Sequence, residues 1–231
     1  MFFHTAKHRI ASLILIVTAA ASSGLTACTD ANNSASVPVA TPSAQPLKEK
    51  PSPTQNSNGM MSHGMSHSSM DLGVADADYD LRFIDGMTPH HQGAIAMAED
   101  VLKNSQRPEL KKLAKDIIQA QQKEIAQMGE WRKAWYPNAG EKLMMWHAES
   151  NHMMAMTPEF RKSMMMSMDL GGADNKFDSR FLEVMIPHHE AALVMAKDAI
   201  AKSKRPEIQK MAQEILSSQQ AEIDQMKQLR K

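Results

Sequence analysis

The sequence predicts an all-α protein: a four-helix bundle made of two repeated helical hairpins, with a Met-rich helical insert between them. Three observations predict it. Residues 76–133 recur as residues 174–231 at a constant offset of 98 positions, without a gap and with roughly half the positions identical. Within each copy, apolar residues fall at the three-and-four spacing of a helix face. Aromatics are few, with 3 Trp, 2 Tyr and 6 Phe, while Ala, Leu, Met, Gln, Glu and Lys are common. That palette favours helix over an aromatic-filled β core.

Residues 1–27 read as an export signal, because Lys7 and Arg9 precede an apolar run from Ile10 to Val17, and small residues lead into Leu25-Thr-Ala-Cys28. The run is too short for a transmembrane span. Leu-Thr-Ala-Cys also matches the bacterial lipoprotein box, so Cys28 is expected to be lipidated and to open the mature chain. Ordinary cleavage near Ala27, which would leave Cys28 incidental, is the other reading of the same residues. Either way the mature protein works outside the cytoplasm, and a single Cys gives it no internal disulfide.

Residues 28–75 form a tether rich in Ser, Thr, Pro, Ala and Asn, a composition that buries too little surface to offset chain entropy. Its far end crowds Met60, Met61, His63, Met65, His67 and Met70 together without helical or strand periodicity.

Residues 76–136 are the first hairpin. One helix is predicted from about Asp78 to Asn104, with Ile84, Met87, His91, Ala94, Ile95, Ala98 and Leu102 on one face. A second starts at Pro108, whose missing N–H is harmless in a first turn, and carries Leu110, Leu113, Ala114, Ile117, Ile118, Ile125 and Met128. Residues 174–231 repeat this pattern with Ile208, Met211, Ala212, Ile215, Leu216, Ile223 and Met226. One hairpin buries its stripe poorly alone, and two cover each other. Pro89 and Pro187 fall inside the first helix of each copy, at a cost of about 3 kcal/mol, and predict a kink or break.

The insert, residues 137–173, opens on a turn at Pro137 to Gly140. It reads as two short helices, Glu141 to Met156 and Pro158 to Met168, with Thr157 as N-cap and Gly171-Gly172 as the stop. It holds Met144, Met145, Met153, Met154, Met156, Met164, Met165, Met166 and Met168 beside His147 and His152, more Met than any amphipathic stripe explains.

The chemistry follows from 21 Met and 10 His. Thioether sulfur is soft and needs no deprotonation, so Met clusters suit Cu(I), with Ag(I) as a mimic, and imidazole extends the range to Cu(II). Met87, Met97, Met128, Met185, Met195 and Met226 lie on apolar stripes and serve equally as core filling. Beside them stand His90-His91 and His188-His189. Adjacent helical residues point about 100° apart, so an ion shared between helices, using a His and a Met from each, is easier than one held by a single pair. Asp85 and Glu183 are read as residues orienting a histidine or as solvated. No Glu-x-x-His pair lies on the four predicted bundle helices, and no catalytic cysteine or phosphate loop is present, so the chain is not expected to be an enzyme. Equal numbers of Lys+Arg and Asp+Glu, 26 each, argue against nucleic acid as a partner.

The segments Met87-Thr-Pro-His-His-Gln-Gly-Ala-Ile-Ala-Met-Ala98 and Met185-Ile-Pro-His-His-Glu-Ala-Ala-Leu-Val-Met-Ala196, with Arg-Pro-Glu and Gln-Gln-x-Glu-Ile-x-Gln-Met downstream, resemble a bacterial extracytoplasmic family long known only as a domain of unknown function. The resemblance covers both repeats. It implies a ferritin-like helical fold, copper binding and copper tolerance, with Met87, His90, His91, Met97 and their counterparts Met185, His188, His189 and Met195 on the motif positions. The second copy departs from the first in having Ala191 where Gly93 stands.

The expectation is an exported protein that sequesters or transfers copper, mainly Cu(I). Its partners are copper ions and other periplasmic copper proteins or efflux components, and it touches the membrane only through a lipid anchor. Candidate ligands also include His147, His152, Met153, Met154, Met156, Met164, Met165 and Met168 of the insert and the Met60 to His67 segment. A ferritin-like metal oxidase and a metal-free interaction module with Met-rich surfaces are the rival readings.

Overall fold

A computed structural model describes residues 70–231. The export signal, Cys28, and Met60, Met61, His63, Met65 and His67 lie outside the described residues.

Four long helices make a ferritin-like bundle: α1 (Tyr79–Asn104), α2 (Pro108–Trp135), α4 (Phe177–Lys202) and α5 (Pro206–Leu229), with the insert element α3 (Pro158–Met165) between the hairpins. Pro108 and Pro206 begin α2 and α5 as first-turn prolines, and the short links bond Arg107 and Arg205 N–H to the Ser105 and Ser203 hydroxyls at 3.1 Å. Each hairpin packs internally, and α1 lies against α4. Tyr79 donates to Asp198 across the hairpins at 2.8 Å, and Arg205 lies 3.5 Å from Asp80.

The predicted break at Pro89 and Pro187 is absent: α1 and α4 run unbroken through both. The penalty of about 3 kcal/mol is local. Met87, Ala94 and Met97 on α1, and Met185, Ala192 and Met195 on α4, are fully buried on either side of it, and that apolar burial holds the helix together.

The helix predicted from Glu141 to Met156 is also absent. The chain forms an antiparallel hairpin instead, β1 (Met144–His147) and β2 (His152–Ala155), with Met144 opposite Ala155 and His147 opposite His152. Met is a good helix former, but helix propensity is a weak term that tertiary contacts override. Here the buried Asp85 carboxylate accepts from the Met144 N–H at 2.8 Å, and Trp146 lies on the Arg82 guanidinium at 4.9 Å. Asn151 takes the left-handed conformation, φ 51°, that closes the turn. The second predicted helix is present as α3, capped by Thr157 Oγ1 accepting from Phe160 N–H. It ends at left-handed Met166, before Gly171-Gly172.

Residues 70–75, assigned to the tether, belong to the folded body. Met70 and Leu72 are buried. Arg82 Nε donates to the Leu72 carbonyl at 2.6 Å, and Arg180 Nε donates to the Leu170 carbonyl at 2.7 Å in the same way. Met70-Asp-Leu-Gly73 and Met168-Asp-Leu-Gly171 are thus the true starts of the two copies.

Candidate metal centre

His90 and His188, the first histidines of the two pairs, meet where α1 packs on α4. Their ring centroids are 3.9 Å apart, against 6.3 Å and 6.2 Å between neighbours within each pair. All four imidazoles are fully buried. The closest ring contact is therefore between copies and not within a pair.

Each outer histidine is held by a glutamate from the second helix of its own hairpin. His91 Nε2 is 2.7 Å from Glu124 and His189 Nε2 is 2.8 Å from Glu222. His188 Nε2 donates to the Met165 carbonyl at 3.1 Å. These contacts make Nε2 the donating nitrogen of each ring and leave Nδ1 as the nitrogen without a contact. The Nδ1 atoms of His91, His188 and His189, and both ring nitrogens of His90, are buried without a partner. So are the amides of Gln121 and Gln219, on the same faces of α2 and α5 as Glu124 and Glu222. Each such atom costs about 1–3 kcal/mol unless something fills it, so the cluster is expensive as a mere core.

Burial, reinforced by the neighbouring imidazoles, pushes His90 well below the usual histidine range and His188 down to about 3. Both are neutral, ligand-ready rings at physiological pH.

The six methionines at repeated positions of the bundle are all buried and fall into two sets, and a seventh, Met211, whose counterpart is Leu113, is buried in the first. Met87, Met128 and Met195 share one packed cluster, and Met185, Met226 and Met97 share the other. The 98-residue offset maps each set onto the other, and each takes two thioethers from one hairpin and one from its partner. Among the described residues, no three His, Cys, Asp or Glu side chains are grouped so as to hold an ion. The buried thioethers are soft, uncharged donors, a type that suits soft metals.

The insert supplies the asymmetry. Met164 and Met166 bury into the first cluster, Met165 and Met156 are half-buried, and Met168 is exposed. Core filling thus accounts for part of the insert's Met. A Cβ on Gly93 would sit 1.7 Å from the Met165 carbonyl oxygen, so glycine is what lets α3 descend onto α1. At the equivalent position of the other copy stands Ala191, half-buried and packed against the first cluster. His147, Met153 and Met154 are half-buried and His152 is exposed on the hairpin, remote in role from the four core rings.

Asp85 and Glu183 do not orient a histidine. Asp85 is fully buried and bound by Arg132 at 2.6 Å, while Glu183 is exposed. The carboxylates that do so, Glu124 and Glu222, were missed because they lie 33 residues from their histidines on another helix. Their signal was present in the repeated Gln-Gln-x-Glu, unchanged between copies at positions facing the core.

The chain matches the family described as Domain of unknown function (DUF305) over residues 31–132 and 80–230. Among solved structures, it is similar to CopM in the Cu(II)-bound form, at 42% identity over 65% of this chain and 95% of that one, with a TM-score of 0.53. It is also similar to CopM in the Ag-bound form obtained by soaking, at 37% identity over 65% and 93% of the two chains, with a TM-score of 0.51. Among curated proteins, Uncharacterized protein L153 of Acanthamoeba polyphaga mimivirus is 43% identical over 49 residues, 21% of this chain. That match spans 32% of the relative.

Proposed function

The chain belongs to the DUF305 family, and we propose that it is an extracytoplasmic copper-binding protein that holds Cu(I) in the bundle core and contributes to copper tolerance by sequestering the ion or handing it to other periplasmic copper proteins or efflux components. The export signal and the Cys28 lipoprotein box place it outside the cytoplasm on this reading, with a lipid anchor as its membrane contact. The observation that carries the reading is the set of buried, unpartnered imidazole nitrogens in a bundle whose two packed clusters each bury a repeat-related set of methionines. The solved CopM structures with Cu(II) and with Ag support it.

Metal geometry favours two ions over one bridging ion. Two imidazoles sharing an ion at about 2.0–2.1 Å have ring centroids roughly 4.5–6.4 Å apart. His90 and His188 are closer, at 3.9 Å. Each ring is better paired with the thioether trio on its own side, giving one Cu(I) per trio. Thioethers supply a soft, neutral donor set, the buried rings need shed no proton, and Glu124 and Glu222 hold the outer histidines with Nδ1 turned to the ion. The protein binds and does not turn over: oxygen uptake with Fe(II) or Cu(I) should not exceed the protein-free rate.

An anaerobic Cu(I) titration of residues 28–231 against a coloured competing chelator tests this. Met87, Met128 and Met195 changed together to Leu conserve volume and fold. The variant should lose one tight equivalent and keep the other. Unchanged stoichiometry and affinity would remove copper from the core.

A further inference from the structure

The β1–β2 hairpin carries a donor set that the bundle does not use. Successive residues on a strand face opposite sides, and opposed residues share a side. The register sets Met145 against Met154 and His147 against His152 on alternate rungs, with Trp146 against Met153 between them, so all four occupy one face. A helix over the same residues would have scattered them. Opposed Cβ atoms in such a ladder lie about 4.5–5.5 Å apart and diagonal ones about 7–8 Å, within reach of long side chains.

We propose that this face is a second copper site, in which His147 and His152 take Cu(II) from solvent and the thioether of Met154, with Met145 beneath it, completes the donor set. The ring centroids are 6.1 Å apart, inside the range of roughly 4.5–6.4 Å spanned by two imidazoles that share an ion. The core His90–His188 pair, at 3.9 Å, falls outside it.

One residue positions both rings. The Ser150 carbonyl accepts from His152 Nδ1 at 3.3 Å, which fixes that ring with its lone pair on Nε2. The Ser150 N–H donates to His147 Nδ1 at 3.3 Å and the Ser150 hydroxyl bonds the same nitrogen, which holds that ring with Nε2 outward; ligation through Nε2 moves the ring proton to Nδ1, where the Ser150 hydroxyl oxygen accepts it. Anchoring one imidazole nitrogen so that the other meets the ion is the usual support for a metal-bound histidine.

Exposure grades along the face. His152 is exposed, His147 and Met154 are half-buried and Met145 is buried. Copper reaching this face meets imidazole first, which suits Cu(II), and thioether next, which suits Cu(I). The opposite face is fixed to the body by Trp146 on Arg82, so binding requires no rearrangement of the bundle. The site stands on its own donors and does not depend on copper binding in the core.

The test is substoichiometric Cu(II) added to 15N-labelled residues 28–231, together with a Cu(II) titration followed by EPR. The expected result is paramagnetic broadening centred on residues 145–154, and loss of one Cu(II) equivalent in the H147N/H152N double variant. The Cu(I) stoichiometry of that variant should match the parent, which separates this site from the core. Far-UV CD identical to the parent would confirm folding, as these side chains lie at the surface end of the hairpin. Broadening centred elsewhere, on His63 and His67 for example, with full Cu(II) stoichiometry in the variant, would overturn the proposal.

Discussion

At the scale of single residues, the buried rings set a pH dependence. His188 titrates near 3 in the folded protein because burial and its neighbours disfavour the cation, whereas an unfolded histidine titrates near 6.5. The unfolded chain therefore binds the extra proton first, and stability falls as pH drops from about 6.5 towards 3. At pH 5 His188 alone should cost about 2 kcal/mol relative to pH 7.5, at about 1.4 kcal/mol per unit below 6.5. Urea unfolding at the two pH values measures it, and His188→Asn should reduce the difference by about that amount, leaving the part due to His90. Gly93 gives a second expectation. In Gly93→Ala the new methyl meets the Met165 carbonyl at 1.7 Å, so α3 must lift and His188 loses its acceptor. The variant should be destabilised although alanine is the better helix former, and should be cut sooner by protease within residues 157–168. At the equivalent position, Ala191→Gly should cost only the helix-propensity difference of about 1 kcal/mol. The His pairs were legible in the sequence because they recur. The reason for Gly93 was not, since it depends on where a distant carbonyl lands.

At the scale of elements, periodicity identified the helices that bury a continuous stripe and failed where burial is patchy. The four long helices carry buried positions three and four apart along most of their length. The insert has no such stripe, and its conformation is set by contacts with α1 and α2. Chief among these is Asp85, which accepts from Arg132 and from the Met144 N–H and so ties β1 to the first hairpin. Its counterpart Glu183 is exposed. Asp85→Ala leaves Arg132 without its buried partner and should cost about 3–5 kcal/mol. Glu183→Ala, at a solvated position, should stay within about 0.5 kcal/mol of the parent. Chemical denaturation of the two variants side by side decides it, and equal losses would mean that Asp85 is not what docks the hairpin. The turn itself was readable in Ser150-Asn151, flanked by two runs of Met and His, but the abundance of Met pointed equally to helix.

At the scale of the whole molecule, the duplication predicts more than the fold. Two hairpins with roughly half their positions identical present many core features twice, and the methionines at 87, 128 and 195 and at 185, 226 and 97 do so with Met97 and Met195 exchanged between copies. That exchange could not be read from either stripe alone, because which hairpin a side chain packs against is decided by the α1–α4 docking. It has a thermodynamic consequence. An ion that binds only the native state stabilises it by about 2.7 kcal/mol per site at a hundred times its Kd. Two sites supply about twice that, and a domain of this size gains roughly 2–4 °C in Tm per kcal/mol. Saturating Ag(I), a redox-inert probe, should therefore raise Tm by about 10–20 °C. Changing Met87, Met128 and Met195 to Leu should remove about half of the rise, and changing Met185, Met226 and Met97 should remove the other half. Because the two sets lie in separate clusters, the losses should add. Scanning calorimetry of the parent, the two triple variants and their combination closes the cycle. If one triple variant abolished the whole shift, the trios would form a single site, and the His90–His188 contact would have to open around a shared ion.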